Sequence, residues 1–332
     1  MKDKQKQMNN GMKAEKPIEP DLTIADATLL LNRLQANINQ VTVINEDTLR
    51  LIVVAIIAQG HILLEDAPGV GKTLVAKALA GSISASFNRV QCTPDLLPSD
   101  VTGTSIYNQQ EQRFIFVPGP LFAQIVLVDE INRATPRTQS SLLESMAEHQ
   151  VTVDGQRHAL EAPFFVIATQ NPIEMSGTFP LPEAQLDRFL ITLSLGYPEF
   201  EDEVLILERE EHGNPLADLE PVLSPQDVLA LQSLVRRVDV VRSLKEYIVK
   251  ILQSTRTHPD ILLGASPRSG VALQRAAQAM ALLNQRDYVT PDDIKAVIPA
   301  TLGHRLITQS ITADDLPQLM ADLLRTIPVP LG

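Results

Sequence analysis

The chain has 332 residues, which is long enough for two domains, and it carries a net charge of −12 at pH 7. This acidic balance argues against a protein that coats nucleic acid non-specifically, because phosphate binding relies on a basic field. The longest apolar run, residues 51–58, is far shorter than the roughly 20 residues that cross a bilayer. The single cysteine, Cys92, excludes an internal disulfide and indicates a reducing compartment, so we expect a cytoplasmic protein.

The first elements can be taken in chain order. Residues 1–22 are charged and rich in amides, and they lack the apolar segment of a signal peptide, so they predict a disordered tail. Helices are expected over residues 27–39 and 46–58, because apolar side chains recur there at helical spacing. A short apolar strand at 61–64 and a helix at 74–80 follow. The loop between them therefore lies at a strand-to-helix junction.

This loop, "EDAPGVGKT", is close to the phosphate-binding pattern G-x-x-x-x-G-K-[ST]. Its backbone amides would wrap a phosphate at the start of the helix, Lys72 would reach the β- and γ-phosphates, and the Thr73 hydroxyl would ligate Mg²⁺. A plain strand–turn–helix connection is the alternative. The candidate cofactor-binding residues are Asp66, Ala67, Pro68, Gly69, Val70, Gly71, Lys72, Thr73 and Leu74.

Asp66 stands where the loop pattern has its first glycine. A carboxylate aimed at bound phosphates would repel them, so we expect Asp66 to turn toward solvent or toward a backbone amide. Replacing Asp66 by glycine should then leave ATP binding intact or make it slightly tighter.

The segment "QIVLVDEIN" is an apolar strand that ends in two acids, Asp129 and Glu130. Side chains at the carboxyl end of a parallel strand face the crevice in which such sheets bind ligands. Asp129 is expected to hold the metal, and Glu130 is expected to polarise the attacking water. This pair indicates hydrolysis by water rather than transfer to a bound metabolite. Two solvated acids at a strand end are the alternative.

Three more polar residues are candidates for catalysis. Asn171 ends a strand in "FFVIATQNP", where an amide can hydrogen-bond both water and the γ-phosphate, although asparagine before proline is also an ordinary turn residue. Arg188 in "LPEAQLDRFL" suits the transition-state charge of a phosphoryl group, with a salt bridge to Asp187 as the alternative. Arg268 in "SPRSG" lies in the first turn of a helix, where a cation is misplaced unless an anion is close.

The apolar runs predict an α/β architecture. Helical segments and loops separate them, so we interpret them as buried strands of a parallel sheet. Strand signals disappear after about residue 199, where serine–proline and threonine–proline pairs predict helix starts instead. The predicted strands are 61–64, 125–128, 164–168 and 189–193, and the predicted organisation is a tail at 1–22, a nucleotide-binding core at 23–198 and an all-helical domain at 199–332.

The ordered set of motifs resembles the AAA+ ATPases and, more narrowly, the MoxR family. The resemblance spans about residues 40–305 and is carried by "LLEDAPGVGKT", "DEINRATPRTQSSLLESMAE", "ATQNP" and "GTFPLPEAQLDRF". It implies an AAA+ P-loop core, with a parallel five-stranded sheet between helices, followed by a small all-helical lid domain. It also implies ATP and Mg²⁺ as cofactors. The stretch at Ile44–Asn45 departs from a glycine-containing turn near adenine in many relatives, so the choice of base rests on the family alone.

The resemblance also implies roles for single residues. Asn171 is then sensor 1, Arg188 is the arginine finger that serves a neighbouring subunit's site, and Arg268 is sensor 2 of the lid. Residues 90–122 resemble the family's helix-2 insert, and residues 148–160 resemble the hairpin that precedes sensor 1. In related rings such elements face the pore and move substrate; a plain surface hairpin is the alternative for each.

The function that the resemblance implies is an ATP-hydrolysing homo-oligomeric ring, expected to be a hexamer. It would act as a chaperone-like remodelling or maturation factor on a protein client, with a separate partner that carries a von Willebrand factor A domain. The alternatives are a DNA-acting AAA+ motor, the ATPase subunit of a metal-chelatase complex, and a scaffold that binds nucleotide without hydrolysing it. The acidic charge argues against the DNA motor, and Glu130 and Arg188 argue against the scaffold.

Overall fold

The computed structural model describes residues 22–171, 177–211, 213, 215–309 and 315–330. The helices are α1 (Ile24–Val41), α2 (Glu46–Ile57), α3 (Lys72–Ser82), α4 (Pro98–Thr102), α5 (Pro136–Glu148), α6 (Glu183–Leu186), α7 (Phe200–Glu211), α8 (Pro225–Val235), α9 (Arg242–Thr257), α10 (Pro267–Leu283), α11 (Pro291–Leu302) and α12 (Leu316–Thr326). The strands are β1 (Ile62–Glu65), β2 (Phe87–Gln91), β3 (Gly103–Asn108), β4 (Arg113–Pro118), β5 (Ile125–Asp129), β6 (Gln150–Val153), β7 (Gln156–Ala159), β8 (Phe165–Gln170), β9 (Ile191–Leu193), β10 (Ile261–Leu263) and β11 (Ile307–Thr308). The tail predicted at residues 1–22 lies outside the described residues, apart from Leu22.

Five of the strands form one parallel sheet in the order β2–β5–β8–β1–β9, which confirms the predicted α/β core. The central strands β1, β5 and β8 are buried on both faces, and successive side chains along each of them point to opposite sides. Leu64 and Ile167 belong to a hydrophobic cluster shared with α1, α2 and α3. Leu63 and Val166 belong to a second cluster shared with α5. The sheet is therefore a middle layer between helices.

The carboxyl ends of the central strands lie side by side, because the strands pair nearly in register. Glu65 at the end of β1 is paired with Gln170 at the end of β8, and Gln91 at the end of β2 is paired with Asp129 at the end of β5. This edge of a parallel sheet is where such folds bind ligands. The loops and side chains that follow these four strands thus meet at one place.

Two antiparallel hairpins extend the sheet-and-helix core. Strands β3 and β4 form the first, within the segment expected to be an insert, and β6 and β7 form the second. The turn of the second hairpin is Asp154-Gly155, with φ of 50° and 77°, which matches the left-handed turn that this dipeptide favours. The Phe116 ring stacks on the His158 ring with centroids 3.8 Å apart, so the two hairpins contact each other.

The region after α7 is helical, and each predicted cap is present. The N-cap residue of a capping box is Ser224 in α8, Ser266 in α10 and Thr290 in α11. In each case proline stands at the start of the helix. The prediction that this region is all-helical is wrong in one detail, because β10 and β11 form a short antiparallel pair. Strands of three and two residues are too short to show a sequence period. Among the helices that the structure describes, none is both long enough and apolar enough to cross a bilayer.

Helix α2 joins the helical region to the core. The helix predicted over residues 46–58 is confirmed, and Leu49 and all residues from Ile52 to Ile57 are buried. One side of α2 packs toward the sheet, while α8 and α10 pack against the rest of its surface. The side-chain amide of Gln232 donates a hydrogen bond to the carbonyl of Ile56 over 2.8 Å. The same hydrophobic cluster therefore continues from α1–α3 into the helical region.

A second connection between these regions explains why β9 is shorter than predicted. We expected a strand over residues 189–193, but β9 begins at Ile191. The buried Arg305 guanidinium donates to the carbonyls of Phe189 and Leu190, and the ring of His304 contacts the Phe189 carbonyl over 3.1 Å. These carbonyls are occupied by side chains from the helical region, so they do not extend the sheet.

Two histidines, the buried His61 and the partly buried His304, make the stability of the fold depend on pH. Burial lowers the pKa of His61 from 6.5 to about 4 and that of His304 to about 3. His61 is neutral, since its ring contacts the Met146 carbonyl through Nε2 and accepts a hydrogen bond from the Val166 amide through Nδ1. The unfolded chain therefore binds more protons than the folded chain below pH 6.5.

We expect the free energy of unfolding to fall as the pH is lowered from 6.5 to 5, by up to about 1.4 kcal/mol per pH unit for each histidine. Urea titrations across this range will measure the slope. His61→Gln should remove about half of it, whatever its effect on stability at pH 7. Gln318→Ala, which replaces an exposed amide on α12, is the control and should keep the wild-type slope. An unchanged slope in His61→Gln would contradict the assignment.

Candidate active site

The predicted phosphate loop connects β1 to α3 at the carboxyl edge of the sheet. Gly69 and Gly71 have φ of 91° and 90°, a left-handed conformation that glycine adopts without strain. Gly71 is also the N-cap of α3, so Lys72 and Thr73 begin the helix, where the helix dipole favours an anion. The Lys72 ammonium donates to the carbonyls of Asp66 (2.9 Å) and Ala67 (3.3 Å). The loop thus lies at the strand-to-helix junction that the sequence predicted.

Asp66 does not face the interior of the loop. Its carboxylate is buried and accepts hydrogen bonds from the Ser194 hydroxyl, from the Leu195 amide at 2.9 Å and from the Gly196 amide at 3.1 Å. This confirms the expectation that Asp66 turns toward a backbone amide. The contact also joins the start of the phosphate loop to the segment between β9 and α7. Ser194, which lies in that segment, is 128 residues from Asp66 in sequence.

The structure adds a stability cost to the Asp66→Gly variant. Removing the carboxylate leaves three donors without their buried acceptor, so we expect a loss of about 3 kcal/mol of unfolding free energy. The earlier prediction for ATP binding, intact or slightly tighter, stays unchanged for the folded fraction. Urea unfolding and nucleotide titration will measure the two effects separately. Asp66→Asn, which keeps one acceptor oxygen, should lose less stability; equal stability of Asp66→Gly and the wild type would contradict the role of these contacts.

Asp129 is the last residue of β5 and Glu130 follows it directly, so both acids lie at the strand end as predicted. Asp129 is 10% exposed in its side chain and is held by two neighbours: Arg89 contacts Oδ2, and the Thr169 hydroxyl donates to Oδ1 over 2.9 Å. Glu130 has φ of 55°, a left-handed conformation that is uncommon outside glycine and that recurs at functional sites. Its amide donates to the Thr169 hydroxyl over 2.9 Å, which holds the turn in place.

Two donors hold the Glu130 carboxylate on the same oxygen. The amide of Gln91 donates to Oε2 over 3.0 Å, and Nε of Arg133 lies 3.0 Å from that atom. The nearby Cys92 is buried behind these acids, and burial together with the charges of Asp129 and Glu130 raises the pKa of its thiol to about 12. Cys92 is therefore a protonated packing residue rather than a nucleophile.

The loop and the acids line one cavity of about 370 Å³. Asn171, which is buried at the end of β8, lines it as well, so the structure brings together the predicted residues from three strand ends. A larger cavity of about 860 Å³ adjoins it and shares Pro68, Gly69, Gly71 and Leu74. Apolar residues from the segment after α1 and from α7 line the larger cavity, among them Val43, Ile44 and Ile206. Together the two cavities can hold a charged group at the loop and a flat apolar group beside it.

The two remaining predicted residues lie elsewhere. Within the described chain, neither Arg188 nor Arg268 lines either cavity. Arg188 donates to the Leu143 carbonyl over 3.2 Å. Arg268 is 61% exposed in its side chain and lies 3.4 Å from the carboxylate of Asp187, which also accepts from Arg305 over 2.7 Å. Asp187 is thus the anion near the first turn of α10, and it adjoins Arg188 in sequence.

Sequence reasoning missed three residues of the cavity: Arg89, Gln91 and Thr169. Arg89 and Gln91 alternate along β2, so both are on the side of that strand that faces the acids. The strand β2 has the sequence "FNRVQ" and is half-exposed. It contains no apolar run by which a strand could be predicted. Thr169 was hidden within the apolar strand β8.

Comparisons with known proteins show which family this chain belongs to. The family model described as "ATPase family associated with various cellular activities (AAA)" matches residues 61–191, and the AAA lid domain model matches residues 253–323. The chain is 55% identical to the Bacillus subtilis protein YeaC over 278 residues, which cover 84% of this chain and 87% of that protein. It is 39% identical to chaperone MoxR1 of Mycobacterium tuberculosis over 312 residues, which cover 90% and 82%. The chain belongs to the MoxR family of AAA+ ATPases.

A solved structure supports the same fold for this MoxR-family chain. A candidate ATPase from Cytophaga hutchinsonii superimposes with a TM-score of 0.85 and 37% sequence identity, covering 93% of this chain and 97% of that one. The AAA model includes the phosphate loop, both acids and Asn171, whereas the lid model includes Arg268 and Arg305. The family assignment therefore covers both the cavity and the helical region that contacts Asp187.

Proposed function

We propose that this chain binds ATP with Mg²⁺ and hydrolyses it. The observation that carries the proposal is the single cavity lined by Lys72, Thr73, Asp129, Glu130 and Asn171. The Lys72 ammonium would exchange its two loop carbonyls for phosphate oxygens, and Asn171 would position the attacking water. Glu130 would accept a proton from that water as it attacks. Bound Mg²⁺ would supply the positive charge that offsets the phosphates.

The residues present fit Mg²⁺. This ion is usually held by one or two carboxylates together with the phosphates of its nucleotide, rather than by a cage of protein ligands. The cavity offers the Thr73 hydroxyl and the Asp129 carboxylate for that purpose. Within the part of the chain that is described, no cluster of three or more histidine, cysteine or acidic residues forms a separate metal site.

The test of this proposal is release of phosphate by the purified wild-type protein. We expect turnover with ATP and Mg²⁺ and loss of turnover when EDTA is added. An assembled protein that binds ATP without measurable turnover would contradict hydrolysis and favour the scaffold alternative. Salt-sensitive stimulation by DNA would favour the DNA-acting motor, and indifference to DNA would count against it.

We further propose that the active form is a homo-oligomeric ring, with a hexamer as the specific expectation. Arg188 and Arg268 do not line the cavity of their own chain, and Arg268 lies 3.4 Å from the carboxylate of Asp187, the residue that precedes Arg188. If they assist hydrolysis, a neighbouring subunit has to present its nucleotide to them. Native mass spectrometry with and without ATP will give the subunit count.

The cellular role that we propose is remodelling or maturation of protein complexes in the cytoplasm. The relative from M. tuberculosis is named a chaperone, which supports a protein client for this chain as well. Hairpin β3–β4 supports it too, because Ile106, Tyr107 and Phe114 are exposed by half or more on its surface. A separate partner with a von Willebrand factor A domain remains part of this proposal. In such a ring, residues 23–198 would be the nucleotide-binding core and residues 199–332 the lid.

A further inference from the structure

Arg89 is a cation in the cavity for which the proposed chemistry has no role so far. It lies on β2, and its side chain lines the cavity together with Lys72 and Thr73. Both Nε (2.8 Å) and Nη2 (2.6 Å) of Arg89 contact Oδ2 of Asp129. The other oxygen of Asp129 accepts from the Thr169 hydroxyl. Each oxygen of the proposed metal ligand is therefore already engaged by this chain.

The charges explain why a cation is needed here. Asp129 is nearly buried, and an unpaired carboxylate at such a position is strongly unfavourable. Asp129 and Glu130 also lie beside the place where phosphates would bind, so without a counter-ion they would repel an anion. The Arg89 side chain is 48% exposed, so water can hydrate the guanidinium when it leaves Asp129. It can neutralise Asp129 and can also leave it.

We propose that Arg89 is an exchangeable counter-ion of Asp129. It neutralises the carboxylate while the site lacks metal, and it releases Oδ2 when Mg²⁺ arrives with the nucleotide. The two cations would serve the same carboxylate in turn, because like charges at one oxygen repel each other. This inference rests on the proposed nucleotide function and names a positioning residue within it.

Release of Arg89 would also change how the Glu130 carboxylate is held. Nη2 of Arg89 donates to the side-chain oxygen of Gln91 over 3.0 Å, and the amide of Gln91 donates to Glu130 over 3.0 Å. The three side chains form one hydrogen-bonded row across the ends of β2 and β5. Movement of the guanidinium would remove the donor that orients Gln91, and Gln91 in turn orients Glu130. Arrival of the metal would therefore loosen the carboxylate that has to act on water.

The experiment compares nucleotide affinity with and without metal. A fluorescent, non-hydrolysable ATP analogue is titrated into wild type, Arg89→Ala and Arg89→Gln, once with excess Mg²⁺ and once with EDTA. If Arg89 is the counter-ion of Asp129, the affinity of both variants in EDTA should fall about tenfold or more, since Asp129 then repels the phosphates. With Mg²⁺ the affinity should stay within about threefold of wild type, since the metal takes over the neutralisation.

Further variants separate charge from packing. Arg89→Lys keeps the charge and should recover most of the affinity in EDTA. Arg242→Ala, on the exposed face of α9 beside Glu246, is the matched control and should not change the ratio of the two affinities. Circular dichroism will establish that each variant is folded, and Arg89→Gln preserves most of the side-chain volume if Arg89→Ala does not fold.

Two outcomes would overturn the inference. Equal losses of affinity with Mg²⁺ and with EDTA would mean that Arg89 binds the nucleotide directly. Unchanged affinities in both conditions would mean that Arg89 is a structural ion pair only. Failure of the wild type itself to bind nucleotide in either condition would instead contradict the proposed function, so the two failures can be told apart.

Discussion

Glu130→Gln is expected to bind ATP and assemble like the wild type but to hydrolyse ATP about 10²–10⁴ times more slowly. Glutamine has the same shape, so the cavity and its contacts with Gln91 and Arg133 are largely preserved. It cannot accept a proton from water, and no other acid among the residues lining the cavity is available besides Asp129, which is held by Arg89 and Thr169. The loss should therefore appear in kcat and not in nucleotide affinity.

Phosphate release and titration with a fluorescent ATP analogue will measure the two quantities. Glu246→Gln is a matched control, because this glutamate is exposed on α9 and pairs only with Arg242 among the ion pairs described here. It should keep wild-type turnover. Turnover of Glu130→Gln within about fivefold of wild type would show that another group accepts the proton, because a positioned base contributes far more than that.

Arg188→Ala is expected to abolish most turnover of the assembled protein, with a loss of about 10³-fold or more, the effect of removing a transition-state arginine in related chemistry. The argument is geometric, since Arg188 is outside the cavity of its own chain and contacts the Leu143 carbonyl instead. If it is catalytic, it reaches the nucleotide of a neighbour. Arg325→Ala, an exposed arginine of α12 that pairs with Asp322, is the control and should remain active.

Mixing the two inactive variants tests whether Arg188 acts between subunits. In a mixed ring, some interfaces join an intact Glu130 site of one subunit to an intact Arg188 of the next, so turnover should partly return. Each variant alone lacks such an interface. If Arg188→Ala assembles normally and no mixture recovers activity, Arg188 does not serve a neighbouring site.

The part of the site that could be predicted from sequence is the part made of short, contiguous motifs. Gly69 and Gly71 favour a left-handed backbone in this loop, and Asp129 and Glu130 end a short apolar run that is typical of a buried strand. These local patterns also determine their place in space, because parallel strands align their carboxyl ends. The sequence therefore predicts both the strands and the polar residues that meet at their carboxyl ends.

The remainder depends on contacts between distant residues. Nothing near Asp66 indicates that its acceptors would be filled by Ser194, Leu195 and Gly196, and nothing near Phe189 indicates Arg305. Arg89 could not be predicted as a site residue for a different reason. Its strand is half-exposed at the edge of the sheet, and such a strand lacks the apolar run by which the central strands are recognised.

The burial of α2 on every side from Ile52 to Ile57 has a mechanical consequence. A helix that is covered by the sheet on one side and by α8 and α10 on the other cannot act as a loose joint between them, because separating the two would expose its whole apolar surface to water. The hydrogen bonds from Arg305 to the carbonyls just before β9 are a second connection between the helical region and the core. Within one chain the core and the helical region are thus packed together as one unit, and in the proposed ring we expect the movement that accompanies hydrolysis to occur between neighbouring subunits.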